Sequence, residues 1–148
     1  FFKGMFTTAL QPGEILVEVD FPLAQARTGW SFLEASRRRG DYAMMGVAAG
    51  LSLNAQGICR EARLVYMNAG DGPIEARQAA MGLGGQRPGP QAFEQAAAAA
   101  QQEIDPLGNV HASVAFQRHL ATVLTRRALA IAAERARGSG SSPVADAA

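Results

Sequence analysis

The chain has 148 residues, is 48% hydrophobic and 18% charged, and carries a formal net charge of +1. That describes one ordinary globular domain, able to bury a single core without staples, and excludes a disordered chain. The balance of 14 Lys+Arg against 13 Asp+Glu leaves no overall field for nucleic acid or an anionic membrane, and a single cysteine, Cys59, builds neither an internal disulfide framework nor a multi-thiolate zinc or iron–sulfur site.

The chain begins Phe1-Phe2-Lys3-Gly4, with no basic, apolar and small-residue signal pattern, and reads as the middle of a longer protein. No apolar run reaches the ~20 residues of a membrane helix, and a reducing cytoplasm is the expected setting. Over 14–21, Ile15, Val17, Val19 and Phe21 alternate with mainly acidic residues, the period of a half-buried strand, opened by Pro12-Gly13 and stopped by Pro22. A second strand is expected over 30–36, with Trp30 and Phe32 on one face and Leu33 and Ala35 on the other. It runs into the turn signal Arg37-Arg38-Arg39-Gly40-Asp41.

Over 42–54 a buried strand competes with a helix, and Gly46 and Gly50, each worth about 1 kcal/mol against a helix, favour the strand. A tight turn at 54–57 then leads to a fourth strand over 58–67, paired with the third as a hairpin. Pro73 suits the first turn of a helix to about Met81, ended by Gly82, Gly84 and Gly85. An alanine-rich helix is expected over 91–104, closed by Asp105-Pro106. The last helix, 113–137, shows Phe116, Leu120, Leu124, Ala128 and Ile131 at spacings of three and four, with arginines in its last turns. The Gly/Ser-rich stretch 138–148 is expected to be a disordered tail. Strands followed by helices without alternation predict an α+β domain: an antiparallel sheet of three to four strands with three helices packed on one face.

Chemistry-bearing residues are few. His111 and His119, eight apart across a helix start, do not make a metal pair, and Cys59 in a strand with no basic neighbour reads as core and not as a nucleophile. Glycines 82–85 follow a helix, whereas a phosphate cradle follows a strand. The segment Arg37 to Tyr42 remains: guanidinium forks, a carboxylate and an aromatic at one strand connection, able to bind an anion or border a flat ring, or equally to be a solvated turn.

Read in order, several blocks resemble the C-terminal domain of the FAD-binding medium subunit of molybdenum hydroxylases, the carbon monoxide dehydrogenase and xanthine dehydrogenase family. They are Phe1 to Leu10 followed by Pro12-Gly13-Glu14-Ile15-Leu16, then Arg38-Arg39-Gly40-Asp41-Tyr42-Ala43 with Gly46-Val47-Ala48-Ala49. Ile104-Asp105-Pro106 to His111, Ser113, Phe116, Arg118-His119-Leu120 and Leu124 to Leu129 continue the likeness. Asn109 and Ala112 stand where an acid and a glycine are usual, and Glu75 where an arginine is common. The resemblance implies residues 1–13 as a linker from an N-terminal FAD domain, 14–137 as the domain and 138–148 as tail.

It further implies an oxidoreductase component, not catalytic by itself. Substrate is hydroxylated at a molybdenum–pterin centre in a large subunit, electrons cross [2Fe–2S] clusters in a small iron–sulfur subunit, and FAD passes them to an acceptor. Carried over by position, Leu33, Arg37, Asp41 and Tyr42 lie near the flavin as cofactor-binding residues, Leu33 where some relatives have a contacting lysine. Asp41 and Arg37 are expected to pair and fix the turn. The alternative is an assembly domain whose three-helix face only docks the flavoprotein onto the iron–sulfur subunit, with no direct flavin contact. A free-standing small-molecule binder is the third reading.

Overall fold

In the computed structural model, residues 1–4, 6–23 and 25–138 are described. From residue 139 onward the expected tail lies outside them. Strands β1 (Phe2–Gly4) and β2 (Thr7–Thr8) form a small antiparallel pair. Strands β3 (Thr28–Ala35), β4 (Met45–Leu53), β5 (Cys59–Met67) and β6 (Ile74–Glu75) form one antiparallel sheet in that order. Helices α1 (Arg77–Met81), α2 (Pro90–Ala100) and α3 (Val114–Arg137) cover one face of it. The α+β expectation, an antiparallel sheet with three helices on one face, holds.

Alternation decides which side of each strand is buried. Met45, Val47, Ala49, Leu51 and Leu53 of β4, with Leu64 and Tyr66 of β5, point into the core under the helices. On the open face, Trp30 lies over Gly50, and Phe32 and Met67 over Gly46, so these side chains stay about half exposed. Cys59 is buried as expected, and burial pushes its thiol up, away from the reactive thiolate.

Three elements depart from expectation. The strand over 14–21 does not form: these residues have no regular secondary structure and pair with no strand, and the sheet's fourth strand is β6 instead. Pro73 precedes β6 and does not open α1, because the chain stays beside β5 until Ala76 N–H donates to Leu64 O at 2.9 Å. On α3 the expected Leu124 and Ala128 are buried, but so are Gln117, Ala121, Thr125, Leu129, Ala132, Ala133 and Ala136, while Phe116 is exposed. Small residues face the sheet because the helix must come close to it.

That closeness is visible at β3. A Cβ on Gly29 would collide with the Ala132 carbonyl and stand 2.6 Å from the Ala136 amide. Buried Ser31 donates its hydroxyl to Ala128 O at 2.7 Å, and Arg135 donates to Trp30 O at 2.6 Å. Below, Thr125 donates to Ala121 O at 2.6 Å, so its oxygen is left to accept from the Tyr66 hydroxyl, also at 2.6 Å. Capping completes the helical layer. Ser113 Oγ accepts from Phe116 N–H at 3.2 Å, and α1, with no side-chain cap of its own, receives the Glu103 carboxylate on the amides of Gln78 (3.0 Å) and Ala79 (2.8 Å).

Two outcomes follow from this packing. Gly29→Ala forces α3 off the sheet and lowers the unfolding free energy by roughly 3 kcal/mol, read from urea denaturation. Tyr66 is pushed up to about 12 from 10.0, first by burial, with the Thr125 hydrogen bond opposing and Glu103 adding to the rise. A raised folded value means that the unfolded chain ionises first, so this contribution is complete below pH 10.0 and is lost as pH climbs towards about 12. Tyr66→Phe costs about 1 kcal/mol at neutral pH, and its deficit against the parent shrinks through that window in pH-resolved thermal melts.

Candidate functional site

Strand β3 hands the chain to β4 through residues 36–44. Met44 N–H donates to Ala35 O at 2.7 Å and Asp41 N–H to Arg38 O at 3.1 Å, while Ser36 Oγ donates to Arg38 O at 2.9 Å. Gly40 sits at φ +88°, a conformation that a side chain disfavours, so the turn can reverse between the arginines and Asp41. Arg37, Arg38, Arg39, Asp41 and Tyr42 are all exposed, and Tyr42 fully so.

Two amides hold this turn from behind. Asn68, itself at φ +60°, donates through its side-chain amide to Ala43 O and Met44 O, both at 3.1 Å. Gln117, only 1% exposed, donates to Met44 O at 3.1 Å and accepts from Gly108 N–H at 2.9 Å. A helix-α3 side chain thereby clamps the turn to the loop that precedes α3. That loop is braced by Asn109 Oδ1, which accepts from the amides of His111 (2.8 Å) and Ala112 (3.0 Å). Arg37 closes the arrangement, its guanidinium donating to His111 Nδ1 at 3.0 Å. Such a bond needs the Nδ1 lone pair and hence the proton on Nε2.

Together the turn, the 67–73 connection, the 107–112 loop and β1 enclose an open cleft of about 900 Å³. Asp41 and Tyr42 line it with Lys3, Glu34, Asn68 and His111. Of the four residues singled out from sequence, these two reach the cleft. Arg37 supports its wall through His111, and no Arg37–Asp41 ion pair forms among the described residues. Leu33 points the other way, packed against the core under α3, because it alternates with the open-face residues Phe32 and Glu34.

Sequence reasoning missed Asn68 and Gln117. Neither belongs to a motif, and Gln117 is one of several polar residues along its helix. An exposed phenol, a carboxylate and amides around a broad cleft suit a flat polar ring laid along one wall. Among the described residues no group of His, Cys, Asp and Glu could hold a metal ion, and no helix is long and apolar enough to cross a membrane.

Comparison with known proteins identifies the fold. The sequence model of the CO dehydrogenase flavoprotein C-terminal domain matches residues 30–132. The chain is 36% identical, over 132 residues covering 89% of it and 45% of the relative, to the 6-hydroxypseudooxynicotine dehydrogenase complex subunit alpha of Paenarthrobacter nicotinovorans. It is 28% identical, over 137 residues covering 93% of it and 47% of the relative, to the carbon monoxide dehydrogenase medium chain of Afipia carboxidovorans. Quinoline 2-oxidoreductase from Pseudomonas putida 86 superposes with a TM-score of 0.83 at 34% identity, over 90% of this chain and 46% of that one. The chain thus spans about half the length of the relatives it matches. Fold, matched span and relatives agree: the chain belongs to the CO dehydrogenase flavoprotein C-terminal domain family, the domain of molybdenum hydroxylase medium subunits.

Proposed function

We propose that this chain works as the C-terminal half of an FAD-binding medium subunit, supplying one wall of the flavin site and part of the subunit interface. The observation that carries this reading is the cleft in which Tyr42 and Asp41 stand exposed on a turn held by Asn68 and Gln117. A wall fits and a whole site does not: the glycine run 82–85 follows α1 and does not open a helix toward the cleft, so the phosphates of FAD are held elsewhere. FAD, when bound, supplies the redox chemistry. The chain's own part is positional: Tyr42 borders the isoalloxazine ring and excludes water, Asp41 offers a fixed acceptor beside it, and Arg37, through His111, keeps the turn in place.

In this reading the partners are a small iron–sulfur subunit carrying [2Fe–2S] clusters and a large molybdenum–pterin subunit. The setting is cytoplasmic. The rival, an assembly domain without flavin contact, draws on the open sheet face, where Trp30, Phe32 and Met67 remain exposed and would suit a protein partner.

The two separate in a flavin titration by fluorescence quenching. The 148-residue chain alone binds FAD weakly, whereas the intact flavoprotein binds it tightly. Asp41→Ala with Tyr42→Ala in the intact flavoprotein weakens FAD by about tenfold, the equivalent of ~1.4 kcal/mol, or slows flavin reduction to a similar degree. Full occupancy with unchanged reduction in that double variant leaves the assembly reading in place.

A further inference from the structure

The two halves of the β3–β4 turn are held very differently. Its inner end is gripped from behind, where Asn68 and Gln117 donate to Ala43 O and Met44 O. Further out, among the described residues, the hydrogen bonds of 37–42 stay within the turn, from Asp41 N–H and from Ser36 Oγ, both to Arg38 O. The one exception among them is the Arg37 guanidinium, which reaches His111 Nδ1 at 3.0 Å. Tyr42 and Asp41 thus stand on the part of the turn whose tie to the rest of the fold is that single bond.

The far end of the tie is firm. Asn109 Oδ1 accepts from the His111 amide at 2.8 Å and from the Ala112 amide at 3.0 Å, and Gly108 N–H donates to buried Gln117 at 2.9 Å. His111 is therefore presented by a braced loop to a turn that needs it.

The bond is conditional on a proton. A guanidinium only donates, so the ring must keep its Nδ1 lone pair and carry its one proton on Nε2. A second proton goes to Nδ1; it removes the acceptor and would set two cations 3.0 Å apart. Histidine is the side chain that ordinarily takes up such a proton between about pH 5 and 8. Around the cleft that His111 lines, the charged or titratable groups are Asp41 and Tyr42 of the turn, Glu34 of β3, Lys3 of β1 and Asp71 of the 67–73 connection. The turn adds Arg37, Arg38 and Arg39, and the 107–112 loop adds no other charged residue. Among the described residues, neither His111 nor Arg37 forms an ion pair with a carboxylate, so no acid is in place to hold a protonated ring beside the guanidinium.

We propose that His111 is a positioning residue that acts through Arg37 as a proton-sensitive latch. The neutral ring holds the outer half of the turn, and with it Tyr42 and Asp41, in the cleft wall; protonation releases it. The wall is firm at high pH and loosens as pH falls, and FAD is held less tightly in the loosened state. The effect on FAD rests on the reading that Tyr42 and Asp41 border the isoalloxazine ring, whereas the latch itself does not.

Two measurements test it. In the 148-residue chain, NMR follows the ring nitrogens of His111 and the backbone amides of 38–42 through the histidine range. The ring is protonated on Nε2 alone at high pH, and the amide signals move with its titration. They stand still in His111→Asn, whose Oδ1 can accept the same hydrogen bond without titrating. In the intact flavoprotein, FAD titration by fluorescence quenching shows a dissociation constant that rises roughly fivefold from the high-pH to the low-pH limit. His111→Asn levels that profile near the tight limit. Arg37→Ala and His111→Ala level it near the weak limit, and the double variant loses no more than either alone. Amide signals that ignore the ring's titration, or a ring protonated on Nδ1 at high pH, overturn the latch whatever FAD does. A turn that follows the ring while FAD affinity stays level at every pH keeps the latch and counts against the proposed function. A falling affinity that His111→Asn shares with the parent overturns the positioning role.

Discussion

The approach of α3 to the edge of the sheet is the contact on which the rest depends. Gly29 leaves no Cβ between β3 and the Ala132 carbonyl, Ser31 reaches Ala128 O, and a row of alanines lets the helix lie flat on β3 and β4. Because α3 sits this close, Gln117 in its first turns reaches Met44 O at the far end of the β3–β4 connection. The same helix therefore closes the core and holds the β3–β4 turn. Tertiary packing, more than local propensity, sets where Tyr42 stands.

The cleft is built from segments distant in sequence. Arg37 meets His111 across 74 positions, and Gln117 meets Met44 across 73. Each of those side chains is exposed or polar, and each is fixed by a partner that only the fold brings near. Rigidity at the turn comes from buried and shared amides, whose hydrogen bonds are costly to leave unmade. A wall made this way can border a planar ring without itself gripping it.

The hairpin of β4 and β5, the alanine-rich α2 and the long α3 were legible because their periods are written in large residues and in Gly and Pro punctuation. Asp41 and Tyr42 were legible through the resemblance of their block, not through spacing. What stayed hidden has physical reasons. Much of the buried face of α3 is alanine, which a search for large apolar residues passes over, so that search found Leu124 but placed Phe116 inward when it lies outward. Pro73 is compatible with both a helix start and a strand edge, and backbone pairing with β5 chose the second. Leu33 was placed beside the cofactor by position, but pleat alternation sends it into the core. The strand pattern over 14–21 was read correctly as a pattern; a strand also needs a neighbour.

The central claim is that the turn held by α3 forms a wall against the flavin ring. The most direct measurement is a crystal structure of the FAD-loaded flavoprotein containing this chain, with the separation between the Tyr42 side chain or backbone and the isoalloxazine ring read from it. The account predicts contact at about 4 Å, with Gln117 still bridging Met44 and the 107–112 loop. A Tyr42 that instead faces solvent or a partner subunit, with the ring bordered wholly by other residues, would contradict it.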